Sequence, residues 1–143
     1  MNSFVKTELA ARHRASGVNS VFAGVGLSFA EYVFRTQAML RKVHADKAEL
    51  EKIVAGNAPF ELFPSVGFQK GKDKLYRRGV LLTHGLSDSP YHMRHLANFF
   101  QRSGFRVMVV LLPGHGTQPG DLLEIRWQEW AKVVSYGADC LAA

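Results

Sequence analysis

The 143-residue chain is long enough for one domain with a hydrophobic core, and its 47% hydrophobic and 21% charged residues exclude general disorder. Its formal net charge of +6 would suit an anionic partner, but no nucleic-acid-binding motif accompanies the charge, so we expect no nucleic-acid partner. The single cysteine, Cys140, excludes an intrachain disulfide and favours a reducing compartment, which predicts a cytoplasmic protein. No apolar run reaches the length of a membrane span.

Two basic features leave alternatives open. The clearest basic cluster consists of Lys70, Lys72, Lys74, Arg77 and Arg78. A solvated loop is the simpler interpretation of this cluster, and membrane contact is an alternative that the pattern does not favour. Residues 18–30 are weakly apolar and follow three basic residues, so export by a signal peptide is a second alternative.

Residues 1–57 predict an amino-terminal arm followed by a long amphipathic helix. Residues 1–27 lack periodicity and predict a loosely held arm with some helix. Ser28 and Glu31 have the spacing of a capping box, which marks a helix start. A polar stretch around Asp46 predicts a cap that divides the helix in two. The apolar residues with helical spacing are Phe29, Val33, Leu40, Val43, Leu50 and Val54.

Two short apolar runs in the second part of the chain predict buried strands. Residues 79–84 form the first run and residues 105–112 form the second. Between them, residues 90 to about 103 have helical periodicity, with Ser89 as the expected N-cap and Gly104 as the stop. A strand, a helix and a strand in this order predict one parallel, right-handed βαβ unit. Residues 60–69 predict at most an irregular edge strand.

Each predicted strand is followed by a histidine and a glycine. His84-Gly85 follows the first strand, and His115-Gly116 lies in a loop after the second strand. The carboxyl ends of parallel strands meet at one edge of a sheet, so we expect the two turns at that edge. A final helix is predicted to bury one face formed by Trp127, Trp130, Ala131, Val134, Ala138 and Leu141.

These residues resemble a known family. Gly79-Val-Leu-Leu-Thr-His-Gly-Leu-Ser-Asp-Ser, then a helix, then Val107-Met-Val-Val-Leu-Leu-Pro-Gly-His-Gly-Thr, is similar to the amino-terminal part of an α/β-hydrolase. The similarity is to the carboxylesterase and monoacylglycerol-lipase-like branch, and it covers about residues 58–143. It implies an α/β fold class, with an arm and amphipathic helix at residues 1–57 and a partial α/β-hydrolase domain at residues 58–143.

The resemblance also implies roles for the two turns. The backbone N–H of Leu86 corresponds to half of the family's oxyanion hole, and Gly85 lets the chain approach the substrate. The surrounding pocket would be lined by His84, Gly85, Ser87, Gly114, His115 and Gly116. The implied substrate is a small acyl ester, and we expect neither a cofactor nor a metal.

The sequence departs from the family in one respect. These enzymes attack with a serine in a Gly-x-Ser-x-Gly elbow, and no such pentapeptide occurs here. In the family the nucleophile, the acid and the catalytic histidine all follow the helix that closes this sequence. The resemblance therefore predicts a partial serine hydrolase that is inactive alone and needs a carboxyl-terminal half or another chain.

Two alternatives remain open at this point. The chain could be a non-catalytic remnant or binding module, in which the pocket edge and the amphipathic helix serve a partner. It could also be a metal-dependent hydrolase in which His84, Asp88, His92, His95 and His115 converge, although their spacing matches no known motif. Ser87 is better interpreted as a polar loop residue than as a nucleophile, because no motif places a base beside it. Cys140 is interpreted as a small core residue.

Overall fold

The computed structural model describes residues 10–64 and 76–143. The strands there are β1 (Phe60–Leu62), β2 (Gly79–Leu82) and β3 (Arg106–Val109). The α-helices are α1 (Phe29–Val43), α2 (Leu50–Asn57), α3 (Arg94–Arg102) and α4 (Trp127–Ala142), and 3-10 helices occupy Ala11–His13, Pro90–Met93 and Pro119–Leu122. The predicted helix at residues 90–103 therefore begins as a 3-10 turn and continues as α3.

The three strands form a small mixed sheet in the order β1-β3-β2. β2 and β3 are parallel, with Val80 opposite Val107, so the predicted parallel pair is confirmed. β1 pairs antiparallel with the other side of β3, which confirms that residues 60–62 form an edge strand. Of the rest of the predicted edge strand, residues 63–64 are not in a strand, and residues 65–69 lie outside the described residues. Helices combined with this sheet are compatible with a partial α/β fold.

β3 is the centre of the core. Residues 107–110 are fully buried, because α1 and α4 cover one face of the sheet and α3 covers the other. Met108 and Val110 pack with α1 and α4, whereas Val107 and Val109 pack with Ala97 of α3. This two-sided burial is what the continuous apolar run predicted.

The predicted start of the first helix is confirmed. Ser28 and Glu31 form a reciprocal capping box, in which the Glu31 carboxylate accepts from the Ser28 amide at 2.9 Å. The long helix is divided, as the polar stretch at 44–46 indicated. However, Asp46 does not cap α2, and its carboxylate pairs with Lys47 at 3.0 Å instead. Ser89 likewise makes no side-chain capping bond, and its amide donates to the Asp88 carboxylate at 2.8 Å.

The prediction for the buried face of α4 was right for Trp130 and Leu141, which are partly buried against the core, and wrong for the other four residues, which are exposed. Trp127 is 68% exposed, and Val134 is also exposed. The face that meets the sheet consists of Glu129, Val133, Tyr136 and Gly137. Gly137 is at the contact because a Cβ there would lie 2.8 Å from the Leu81 side chain. Glu129 can be buried because the Phe22 amide donates to its carboxylate at 2.8 Å and Lys132 at 2.6 Å.

The described part of the arm is held tightly rather than loosely. The Asp121 carboxylate accepts from the Ser16 amide at 2.5 Å and from the Ser16 hydroxyl at 2.8 Å. Further along, the Phe22 amide reaches Glu129 of α4. Long-range hydrogen bonds to buried carboxylates therefore fix a segment that has no periodicity of its own.

Among the residues that the structure describes, no helix is long and apolar enough to cross a membrane. Of the predicted basic cluster, Lys70, Lys72 and Lys74 lie outside those residues. Arg77 and Arg78 are exposed, and the Arg78 guanidinium lies 5.7 Å from the centre of the Phe105 ring.

Candidate functional site

The two histidine-glycine turns meet at one edge of the sheet. The ring centroids of His84 and His115 are 4.7 Å apart, at an interplanar angle of 69°. Both side chains are buried, with 4% and 5% of their surfaces exposed. The structure thus brings together the residues that the strand order predicted at this edge.

His84 extends the hydrogen bonding between β2 and β3. The last backbone bond runs from the Val110 amide to the Leu82 carbonyl at 3.3 Å. One step further, the Leu112 amide donates to Nε2 of His84 at 3.1 Å, so the imidazole replaces a backbone acceptor. Because Nε2 accepts, the proton of the neutral ring lies on Nδ1, which is 3.0 Å from the Gly85 carbonyl oxygen and donates to it.

The surroundings of His84 favour this neutral form. Burial lowers the pKa of His84, and the neighbouring His115 lowers it further, whereas the Gly85 carbonyl opposes the shift. A protonated ring would also lose its hydrogen bond from Leu112. His84 is therefore a fixed neutral donor to Gly85 and not a proton shuttle.

His115 connects the second turn to the first. Its Nε2 lies 2.7 Å from the Leu86 carbonyl oxygen, and its Nδ1 lies 3.2 Å from the Pro113 carbonyl oxygen. A neutral imidazole carries one N–H and can donate to only one of these acceptors. Trp130 of α4 already donates to the Pro113 carbonyl at 2.9 Å. If His115 carries its proton on Nε2, the Leu86 carbonyl receives a hydrogen bond from His115 and the Pro113 carbonyl receives one from Trp130.

Two hydrogen bonds to its carbonyl oxygen fix the peptide group between Gly85 and Leu86. The Gly85 oxygen accepts from Nδ1 of His84 and from the Asp88 amide at 3.2 Å, which closes a turn over residues 85–88. The peptide is trans, so the Leu86 N–H points away from that carbonyl. Within the described ranges the Leu86 N–H has no hydrogen-bond acceptor, and the residue is 66% exposed. A fixed, unpaired donor is thus presented at the carboxyl end of β2.

Ser87 is exposed beside this donor and lacks an activating base. Both nitrogens of His84 are engaged by backbone groups, and Nε2 of His115 donates to the Leu86 carbonyl while its Nδ1 is turned to the Pro113 carbonyl oxygen at 3.2 Å. The nearby carboxylate of Asp88 accepts from the Ser89 amide and pairs with His92. In the described part of the chain, no serine hydroxyl is hydrogen-bonded to an imidazole, which agrees with the interpretation of Ser87 as a loop residue.

The loop that carries His115 requires its glycines. Gly114 and Gly116 have φ values of +83° and +78°, which disfavour other residues. A Cβ on Gly114 would lie 2.5 Å from Cγ1 of Ile125, and one on Gly116 would lie 3.1 Å from Leu111. The Gly116 carbonyl accepts from Nε2 of His44 at 2.7 Å. These two predicted pocket residues therefore shape the loop through their backbones.

Sequence reasoning missed Asn19, which clamps the same loop. Its side-chain amide donates to the His115 carbonyl at 3.0 Å, and its own carbonyl accepts from the Gly114 amide at 2.8 Å. Asn19 has a φ of +54°, a left-handed conformation that asparagine tolerates better than most residues. An isolated asparagine in a segment without periodicity gives no signal of this role.

Sequence reasoning also missed Tyr32, which is not among the residues of the apolar stripe predicted for the first helix. Its hydroxyl accepts from the Leu111 amide and donates to the Leu111 carbonyl, both at 3.1 Å. Burial raises the pKa of Tyr32, and the hydroxyl therefore stays protonated as a donor. Leu111 lies just after β3, where no neighbouring strand of the described sheet can pair with it. The Tyr32 hydroxyl therefore satisfies both of its backbone groups.

The proposed metal-binding set does not form. Across residues 10–64 and 76–143, no group of three or more His, Cys, Asp or Glu side chains could hold a metal ion. His84 uses both nitrogens on backbone groups, His115 uses its Nε2 on the Leu86 carbonyl, and His92 pairs with Asp88. The structure therefore provides no ligand set for the metal-dependent alternative.

Comparison with known proteins gives one informative similarity. No protein family model matches the chain. A thermostable monoacylglycerol lipase from Bacillus sp. (strain H-257) is 37% identical over 59 residues, which are 41% of this chain. The match covers 24% of the lipase, so the chain corresponds to about a quarter of that relative's length.

Proposed function

We propose that this chain forms the amino-terminal part of a lipase-like carboxylic-ester hydrolase of the α/β-hydrolase fold and supplies one oxyanion-hole donor, the N–H of Leu86. The observation that carries the proposal is the Gly85–Leu86 peptide group. Two donors hold its carbonyl, from His84 at 3.0 Å and from Asp88 at 3.2 Å, while its N–H is unpaired among the described residues. The partial similarity to a monoacylglycerol lipase supports an acyl ester as the substrate class.

The chemistry of ester hydrolysis explains the use of such a donor. Attack on an ester carbonyl develops negative charge on the carbonyl oxygen, and a donor already aimed at that position stabilises the charge without reorganising. Removing one such donor typically lowers the rate by about 10²–10³. Hydrogen bonds to the Gly85 carbonyl also polarise the peptide group, which makes its N–H a stronger donor.

The proposal does not assign the other catalytic groups to this chain. The N–H of Leu86 stabilises charge but cannot attack an ester. The nucleophile, its histidine and the supporting acid are assigned to a further segment or to another chain, which also carries the nucleophile elbow. We assign the lining of the substrate pocket on this side to His84, Gly85, Ser87, Gly114, His115 and Gly116.

A chimaera tests the proposal. Residues 79–116 would replace the corresponding stretch of the Bacillus lipase, and hydrolysis of a monoacylglycerol would be measured. We expect turnover in the chimaera and a loss of about 10²–10³ in kcat on Leu86→Pro, because proline removes the N–H. Leu86 is the second residue of the 85–88 turn, where proline fits, so little damage to the fold is expected.

Leu86→Ala is the matched control, since it shortens the side chain and keeps the N–H. Its kcat should stay within a few-fold of the parent chimaera. Equal losses in the alanine and proline variants would reject the oxyanion role. A folded chimaera without turnover would favour the non-catalytic binding module instead.

A further inference from the structure

A second cavity lies away from the two histidine turns, between the arm and α1. It has a volume of about 310 Å³ and is lined by Gly17, residues 19–24, Leu27, Leu111 and one face of α1. That face consists of Tyr32, Arg35, Thr36 and Met39, which have the spacing of one side of a helix. His84, Leu86 and His115 do not line it, so this cavity is separate from the proposed ester site.

Long-range hydrogen bonds anchor the arm on both sides of the cavity. Asn19 fixes the arm to the 113–116 loop, and the Phe22 amide fixes it to Glu129 of α4. Between these points the arm passes over α1. The Phe22 ring packs edge-on against Tyr32, with ring centroids 5.8 Å apart. The cavity is therefore bounded by anchored elements on both sides.

The inner walls of the cavity are largely apolar. Val21, Phe22, Leu27, Met39 and Leu111 supply the apolar surface. The hydroxyl of Tyr32 faces the same region but both donates to and accepts from the Leu111 backbone. It therefore has no free proton to offer to a ligand, and an apolar group suits the interior best.

One cation borders this apolar space. Arg35 is exposed, and it has neither an ion pair nor a hydrogen bond with any residue in the described ranges. The acidic residue one turn away, Glu31, already accepts from the amide and the hydroxyl of Ser28. The hydrogen bonds from Ser28 lower the pKa of Glu31, and Arg35 lies close enough to lower it further. The Arg35 guanidinium makes no hydrogen bond there, however, and remains available to a second carboxylate, with which it forms a charge-assisted hydrogen bond.

We propose that this cavity binds a medium-chain aliphatic monocarboxylate, with its tail against Met39 and Leu111 and its carboxylate at Arg35. A water molecule occupies about 30 Å³ in the liquid, so the cavity accommodates roughly ten non-hydrogen atoms. Octanoate has this size and carries one charge at one end. The proposal does not depend on ester hydrolysis, because it concerns binding by the chain itself.

Methionine NMR on the full chain gives a direct test. The chain would be labelled with [methyl-¹³C]methionine and titrated with sodium octanoate. The Met39 methyl resonance should shift saturably, because this side chain lines the cavity. Met108 in the core and Met93 beside α3 should not shift. No saturable shift at Met39, or equal shifts at all three residues, would overturn the proposal.

Arg35→Gln tests the charged end of the site. An exposed ion pair contributes about 0.2–1 kcal/mol, so the variant should bind octanoate about 1.4- to fivefold more weakly. Lys42→Gln, an exposed substitution on the same helix outside the cavity lining, is the matched control and should leave the affinity unchanged. Equal octanoate affinity of the parent and Arg35→Gln would reject the role of Arg35.

Discussion

The Leu112 amide donates to Nε2 of His84 at 3.1 Å, at the point where the backbones of β2 and β3 separate. An imidazole therefore acts as the last acceptor between the two strands. The same ring donates through Nδ1 to the Gly85 carbonyl, so one side chain links the end of β3 to the peptide group that presents the Leu86 N–H. The stability of this edge of the sheet and the geometry of the candidate site thus depend on the same residue.

His84→Ala should destabilise the fold by about 1–3 kcal/mol, since it leaves the buried Leu112 amide without its acceptor. Urea denaturation would measure the free energy of unfolding. His95→Ala is a suitable control because His95 is an exposed histidine, and its effect should stay within about 0.5 kcal/mol. Similar losses in the two variants would argue against a structural role for the imidazole.

Folding stability should fall as the pH falls below the ordinary His84 pKa of 6.5. Burial lowers the pKa of His84 in the folded chain, so the unfolded chain binds a proton at a higher pH than the folded chain does. The stabilisation is complete above about pH 6.5 and is lost as the pH falls through the folded pKa. Urea midpoints at pH 7.5 and 5.5 would measure the change, which should be smaller in His84→Ala. An identical change in that variant would show that the pH dependence arises from groups other than His84.

The buried carboxylates should add acid sensitivity at lower pH. Burial raises the pKa of Asp121, but hydrogen bonds from Thr117 and Ser16 outweigh burial and lower it overall. The carboxylate therefore stabilises the fold above its unfolded pKa, and this stabilisation is lost as the pH falls further. Asp121→Asn should flatten the stability profile below about pH 4. Heat denaturation at several pH values would show this, and an unchanged profile would contradict it.

Asn19→Gly should loosen the 113–116 loop. Glycine adopts the observed φ of +54° but lacks the side-chain amide that donates to His115, so we expect a loss of about 1 kcal/mol. Hydrogen exchange of the His115 amide should become faster. Asn57→Ala removes a comparable bond, from Asn57 to the Ile53 carbonyl at 2.9 Å, and should leave exchange at His115 unchanged. Equal effects of both variants would rule out a local clamp.

Gly114→Ala and Gly26→Ala form a matched pair, because both glycines have a φ of +83°. A Cβ on Gly26 meets nothing within 4 Å, so alanine there should cost about 1–2 kcal/mol from backbone strain alone. A Cβ on Gly114 would lie 2.5 Å from Ile125, which adds about 1–3 kcal/mol of overpacking. Unfolding free energies would separate the two terms. Equal destabilisation would show that Ile125 moves aside freely.

β2 pairs only with β3 among the described strands, so its other edge should promote association. The Arg78 carbonyl accepts from the Arg106 amide, and the Leu82 carbonyl accepts from the Val110 amide. Because the backbone groups of successive residues in a strand point to opposite edges, those of Leu81 and Thr83 point away from β3. We expect the chain alone to form oligomers or aggregates. Thr83→Lys should reduce this association, because a charge at an exposed edge opposes pairing. Sedimentation measurements would test both statements, and a parent chain that is monomeric at high concentration would contradict them.

The sequence by itself determined the central strand pair and the meeting of the two histidine turns. A continuous apolar run at residues 105–112 indicated a strand buried on both faces, and the helix after Pro90 was of suitable length to connect it in parallel to residues 79–84. Once the strands are parallel, His84 and His115 must emerge at one edge. Local periodicity and chain connectivity are sufficient for these conclusions.

The tertiary structure alone decided which polar residues are buried and which groups hold the site. Glu129 lies on the inner face of α4 because the Phe22 amide, 107 residues away in sequence, donates to it. Asn19 clamps the His115 carbonyl across 96 residues, and Tyr32 meets the Leu111 backbone across 79. Periodicity reflects the average polarity of a face, whereas burial of a polar group depends on a specific partner. That partner is near only after the chain has folded.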